Sequence, residues 1–214
     1  MNKSVQIGAA ALFLALPAAA ETVTVVALGD SLTAGYGLPE GEGFVPQLQA
    51  WLDGRGIDAA VVNAGVSGDT TAGGLARVDW ALTPEADAMI VALGGNDLLR
   101  GIPPESSRAN LDAILARVAG EGGLPVLLVG LEAPGNYGAA YKAAFDGMYG
   151  DLAAEYDALL EQSFLAPLLV GSDLRTARER YLQGDGIHPN RAGVAVIVEA
   201  LGPRVAELVV RAAP

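Results

Sequence analysis

Short runs of apolar, often β-branched residues recur along this chain, and most are followed by stretches whose apolar positions return every three or four residues. Thr22 to Leu28, with Val23, Val25 and Val26, reads as a strand buried on both faces. Ala59 to Asn63, Ala88 to Leu93 and Pro125 to Val129 read the same way, and Ala158 to Leu160 is a shorter fifth strand. Phe44 to Arg55 reads as a helix ended by Gly54 and Gly56. A second helix starts at Asp69 or Thr70, both N-cap residue types, and Leu75 and Val78 then lie three apart. Pro103 to Ala119 opens on proline and aligns Leu111, Ile114, Leu115 and Val118 on one face. Gly138 to Tyr156 reads as helical although Gly147 and Gly150 weaken it, and Asn190 caps a final helix reaching about Arg211. Leu165 to Gln183 has no period that assigns it.

Strand-helix alternation of this kind predicts an α/β fold, a parallel sheet with helices on both faces. Ligands in such sheets bind beyond the carboxyl ends of the strands, near the switch point. The polar motifs fall after predicted strands or just before the last helix, so all are expected at that one rim. No linker or repeat interrupts the pattern, and 214 residues suit one domain with a full core.

The first twenty residues stand apart. Lys3 gives a positive start, Ile7 to Ala20 is an apolar run too short to span a bilayer comfortably, and Ala18-Ala19-Ala20 offers a small-residue cleavage site. Residues 1–20 therefore read as a signal peptide and 21–214 as the mature domain. Export to a periplasm or the medium is expected, with no integral membrane segment in the mature chain. Loss of Lys3 takes the formal charge from −12 to −13 and leaves Lys142 as the only lysine. That acidity disfavours nucleic acid and anionic lipid as partners. With no cysteine there are no disulfides, and one histidine without cysteine excludes ordinary zinc sites. Neither glycine cluster matches a dinucleotide or phosphate-loop fingerprint. No cofactor and no metal are expected.

The single imidazole, His188, confines general base chemistry to one place. Pro189 restricts its backbone to extended geometry and Asn190 fixes the helix start behind it. Asp185, three residues earlier, can accept from one ring nitrogen and leave the other to face a nucleophile. Gly29-Asp30-Ser31-Leu32 after the first strand supplies a hydroxyl. As a bare turn it would simply let Asp30 or Ser31 cap a helix. Asn63-Ala64-Gly65-Val66-Ser67-Gly68-Asp69-Thr70 and Gly94-Gly95-Asn96-Asp97 follow the second and third strands. Both suit glycine turns, and both also offer N–H groups to a developing oxyanion. The order Ser, Asp, His is that of α/β-hydrolases, yet the Gly-x-Ser-x-Gly elbow is absent.

These blocks, with Gly74-Leu75-Ala76-Arg77, Arg100-Gly101 and Asn136-Tyr137-Gly138, resemble those of the SGNH hydrolases, or GDSL esterases and lipases. Within that family the chain is similar to the bacterial periplasmic thioesterase I group, also known as lysophospholipase or arylesterase. The resemblance implies a flavodoxin-like three-layer α/β/α sandwich. It implies Ser31 as nucleophile, His188 as base and Asp185 as its orienting acid, with the Ser31 and Gly68 N–H groups and the Asn96 amide forming an oxyanion hole. Gly65 receives no catalytic role, and the segment between Leu160 and Gln183 departs from the group's pattern. Small acyl esters and thioesters are the substrates it implies, for an enzyme expected to act as a monomer. A carbohydrate O-deacetylase and a non-catalytic binding module are the competing readings.

Overall fold

The computed structural model describes residues 21–119, 123–171 and 173–213. The signal peptide expected over 1–20 lies outside them. Five parallel strands form the sheet: β1 (Val23–Gly29), β2 (Ala59–Gly65), β3 (Ala88–Ala92), β4 (Val126–Val129) and β5 (Leu159–Glu161), in the order β2-β1-β3-β4-β5. This is the flavodoxin-like order, whose switch point lies between β1 and β3. Register is continuous across the centre, with Leu28 opposite Ala64 on one side and Val91 on the other. β3 and β4 are buried at every position, as the unbroken apolar runs require of strands covered on both faces.

Among the described residues eight helices cover the sheet: α1 (Ser31–Ala34), α2 (Phe44–Asp53), α3 (Thr71–Ala81), α4 (Gly95–Leu99), α5 (Pro104–Val118), α6 (Ala139–Glu155), α7 (Leu174–Tyr181) and α8 (Arg191–Ala212). α2 packs on α8, while α3, α5 and α6 pack in sequence as a second layer. One hydrophobic core threads both layers, from Leu48, Leu52 and Leu201 through Leu28 and Ile90 to Ile114, Leu115 and Phe145. None of the helices over the described residues is long and apolar enough to cross a membrane.

The predicted strands and the long helices are present within a few residues. Thr70, not Asp69, caps α3, its hydroxyl accepting from Gly73 N–H at 3.2 Å. Asn190 caps α8 through its side-chain oxygen, 3.0 Å from Gly193 N–H. The turn read at 94–97 is a short helix instead, with Gly94 opening α4 at φ of 120°, while Asp30 caps α1 as the turn reading of the tetrapeptide allows. The stretch left without an assignment folds as a 3-10 turn (Ala166–Leu169) followed by α7. Asp173 caps α7, yet the helix buries only Ala177, too little apolar surface to leave a helical period in the sequence.

Candidate active site

Ser31 is the first residue of α1 and sits directly beyond the end of β1, beside the switch point. Asp30 holds that junction: its Oδ1 accepts from Leu32 N–H at 3.0 Å. The only histidine comes from the far end of the chain, 157 positions away, and its Nε2 lies 2.8 Å from Ser31 Oγ. Its Nδ1 lies 2.6 Å from Asp185 Oδ2. A carboxylate only accepts, so the proton belongs on Nδ1 and the Nε2 lone pair faces the serine hydroxyl.

The tight spacing between Asp185 and His188 works because the carboxylate holds its own loop. Asp185 Oδ1 accepts from the backbone N–H of Ile187 at 2.9 Å and of His188 at 3.0 Å, leaving Oδ2 for the ring. These bonds, led by the one to the imidazole, lower the Asp185 pKa to about 2. The carboxylate is therefore ionised wherever an imidazole could serve as base.

Gly68 and Asn96 complete the wall opposite. Gly68 has φ of 88°, a left-handed conformation that glycine adopts without strain. Its N–H donates to no other group among the described residues, and its carbonyl accepts from Arg100 Nη2 at 2.8 Å. Asn96, in α4, donates through Nδ2 to Asp69 O at 2.9 Å and reaches Asp30 Oδ2 at 3.4 Å, a weak contact. Ser31, Gly68, Asn96 and His188 line one cavity of about 290 Å³ with Leu98, Leu131 and Leu165 on its apolar side. Asp185 stands outside it, behind the ring. All five residues singled out in the sequence thus converge at one rim.

The roles of several supporting groups escaped the sequence reading. Arg77 Nε binds Asp69 Oδ2 at 2.6 Å while its Nη atoms donate to Ala64 O at 2.8 Å and Gly29 O at 2.9 Å. One guanidinium so ties the ends of β1 and β2 to the residue whose carbonyl orients Asn96. Asp97 is fully buried and accepts from Thr71 N–H, the Thr71 hydroxyl and the Ser107 hydroxyl, joining α4 to α3 and α5. Gln183 donates through Nε2 to Tyr36 O at 2.8 Å and Pro189 O at 2.9 Å, and its backbone N–H to His188 O at 2.8 Å. The Tyr36 ring rests 4.7 Å from that of His188, centroid to centroid. Gly65 has a packing role, because a Cβ there would collide with the Ala34 backbone.

Asp30 is 2 % exposed, and burial raises its pKa to about 6 against the pull of the Leu32 N–H, His188 and Asn96. The fold thus disfavours its charge.

A parallel sheet that brings hydroxyl, imidazole and carboxylate together at its carboxyl rim, without a nucleophile elbow, marks an SGNH-type α/β hydrolytic enzyme. The chain belongs to the GDSL-like Lipase/Acylhydrolase family, whose model matches residues 27–196. It is 42% identical over 200 residues to Esterase TesA of Pseudomonas aeruginosa, covering 93% of this chain and 94% of that one. It is 36% identical over 203 residues to Thioesterase 1/protease 1/lysophospholipase L1 of Escherichia coli, covering 92% and 91%. Among solved structures, AlinE4, an SGNH-hydrolase family esterase, superposes with a TM-score of 0.70 at 44% identity over 89% of this chain and 98% of that one. The protein is an esterase of this family.

Proposed function

We propose that the chain is an exported serine hydrolase of carboxylic esters and thioesters that turns over through an acyl-enzyme on Ser31. One observation carries the reading: Ser31 Oγ, His188 and Asp185 form a continuous relay of 2.8 and 2.6 Å. Ser31 attacks the acyl carbonyl as His188 Nε2 takes its proton, and the imidazolium returns that proton to the leaving alcohol or thiol. Water, activated by the same ring, then releases the acid. Gly68 N–H and the Asn96 amide face the developing oxyanion together with the Ser31 N–H, and a donor of this kind is worth about 3 to 4 kcal/mol.

The substrate class draws on the relatives, whose names give esterase, thioesterase and lysophospholipase. The apolar side of the cavity supports an acyl chain over a sugar as the group held beside Ser31. Cleavage of a signal over 1–20 would deliver residues 21–214, as a monomer, to the periplasm or the medium. The test is hydrolysis of a matched panel of p-nitrophenyl esters, acyl thioesters and acetylated sugars by the parent and by Ser31→Ala. Ester and thioester turnover that the substitution removes is the expected outcome. Equal rates for parent and variant overturn the role of Ser31, and preference for the acetylated sugars overturns the substrate class.

A further inference from the structure

Behind the rim, a run of hydrogen bonds joins the loop of Ser31 to the loop of His188. His188 sits in a hairpin closed by a bridge between Leu182 and Pro189, inside which Gln183 N–H donates to His188 O at 2.8 Å. On the other side, Ser31 O accepts from Tyr36 N–H at 3.1 Å, just beyond the end of α1. The Gln183 amide connects the two: Nε2 donates to Tyr36 O at 2.8 Å and to Pro189 O at 2.9 Å, which uses both of its hydrogens. An unbroken path therefore runs from Ser31 through Tyr36 and Gln183 to His188. Gly37, at φ of 74°, makes room for it, because a Cβ there would collide with the Gln183 amide. The Tyr36 ring, 53% exposed, then lies 4.7 Å from the imidazole at a tilt of 41°.

We propose that Tyr36 and Gln183 are positioning residues that hold the His188 imidazole on Ser31. The claim rests on Ser31 and His188 being nucleophile and base, and it adds the pair that aligns them. Asp185 holds the ring by one corner, Nδ1, about which the imidazole can still pivot. Pointing Nε2 at Ser31 Oγ needs two further restraints, a hairpin kept at a fixed distance from α1 and a wall beside the ring. Gln183 supplies the first and the Tyr36 ring the second. The bond they protect is 2.8 Å long, and a misplacement of about 1 Å can cost about 100-fold in rate. Tyr36 also lines the cavity that holds Ser31, whereas Gln183 does not, so loss of the Gln183 amide leaves the substrate's own contacts in place.

Gln183→Met keeps the length of the side chain but cannot donate. On a soluble aryl ester it is expected to lower kcat roughly 10- to 100-fold with KM within about twofold of the parent. Tyr36→Ala should lower kcat on the same scale, and Tyr36→Phe, which keeps the ring, should recover most of the rate. His188 is the single histidine, so its imidazole gives one unambiguous set of ring signals in isotope-labelled, untagged protein. The Nδ1–H signal of the parent, protected by the 2.6 Å bond to Asp185, should broaden in Gln183→Met and in Tyr36→Ala as the ring begins to pivot. Tyr36 is exposed, so its variants answer the question even if Gln183→Met fails to fold. Parent values of kcat and of the ring signal in the variants overturn the proposal, whatever happens to the thermal midpoint. A fall in kcat with the ring signal unmoved overturns it too, as does a rise in KM alone in Gln183→Met. A parent that shows the ring signal but turns over no ester would instead overturn the acyl-hydrolase reading.

Discussion

Replacing Asp30 by asparagine separates the geometric role of this residue from its charge. The Asp30 carboxyl is 2% exposed and its pKa is raised to about 6 from an ordinary 3.8, chiefly by burial. Below about pH 4 the acid is protonated in both the folded and the unfolded chain and has no differential effect. Between about pH 4 and pH 6 the unfolded chain has released the proton and the folded chain still holds it, so folding loses stability as pH rises. Above about pH 6 both forms are ionised and the loss is complete, at about 3 kcal/mol. Roughly half of it accrues between about pH 5 and pH 8. That window suits a chain of net charge −12, which keeps its solubility while its other carboxylates remain ionised. Asparagine keeps an oxygen for Leu32 N–H but turns an amide toward Asn96, where Asp30 Oδ2 now accepts at 3.4 Å. That cost is the same at every pH and cancels when two pH values are compared. Urea unfolding of parent and Asp30→Asn at about pH 5 and pH 8 should therefore show the variant gaining roughly 1 to 2 kcal/mol relative to the parent at the higher pH. In thermal unfolding the same gain appears as roughly 3 to 6 °C. A stability difference that is equal at the two pH values would show that the fold does not disfavour this charge.

Three further outcomes test the rim. Asn96→Ala should lower kcat by about 100- to 1000-fold with a small change in KM, measured on a soluble aryl ester, because the amide acts on charge that exists only in the transition state. Asp185→Asn should lower kcat by roughly 100- to 10,000-fold in the same assay, since an amide can donate to Nδ1 and stabilise the wrong tautomer. The Asp185 pKa of about 2 keeps that carboxylate charged throughout the assay range. Turnover of the parent should accordingly rise from acid toward neutral pH, because a protonated imidazole cannot accept the Ser31 proton, and a flat profile would remove His188 as the base.

What the chain discloses locally and what it withholds divide along a physical line. β1, β3 and β4 are legible because strands covered on both faces need unbroken apolar runs, and α5 is legible because one face of it meets the core. α7 is silent because it lies at the margin and buries a single alanine. α1 and α4 are too short for a period, and their starts carry the polar residues that equally well make turns. The five candidate residues were legible for a different reason. Gly68 and Asn96 draw their roles from the resemblance to the SGNH family, while with one histidine the pairing of His188 with Ser31 had no competitor.

Arg77 and Arg100 stand in blocks that carry the family resemblance, yet neither their roles nor that of Gln183 can be read from the motif, because apart from the Asp69 carboxylate what they hold is backbone: the carbonyls of Gly29, Ala64, Gly68, Tyr36 and Pro189. A carbonyl belongs to every residue, so nothing in the partner's identity announces the bond, and the partners of Arg77 and Gln183 lie up to 147 positions away. The same reasoning explains why these side chains matter to the rim. Ser31, Gly68 and Asn96 act through atoms whose directions are set by the peptide units at the ends of β1, β2 and β3. At the ends of β1 and β2 the guanidinium of Arg77 adds to the backbone pairing, donating to Ala64 O and to Gly29 O, which also accepts from Val66 N–H. The chemistry is therefore written in a few recognisable motifs, while its precision is written in the ordinary-looking residues that hold the strand ends.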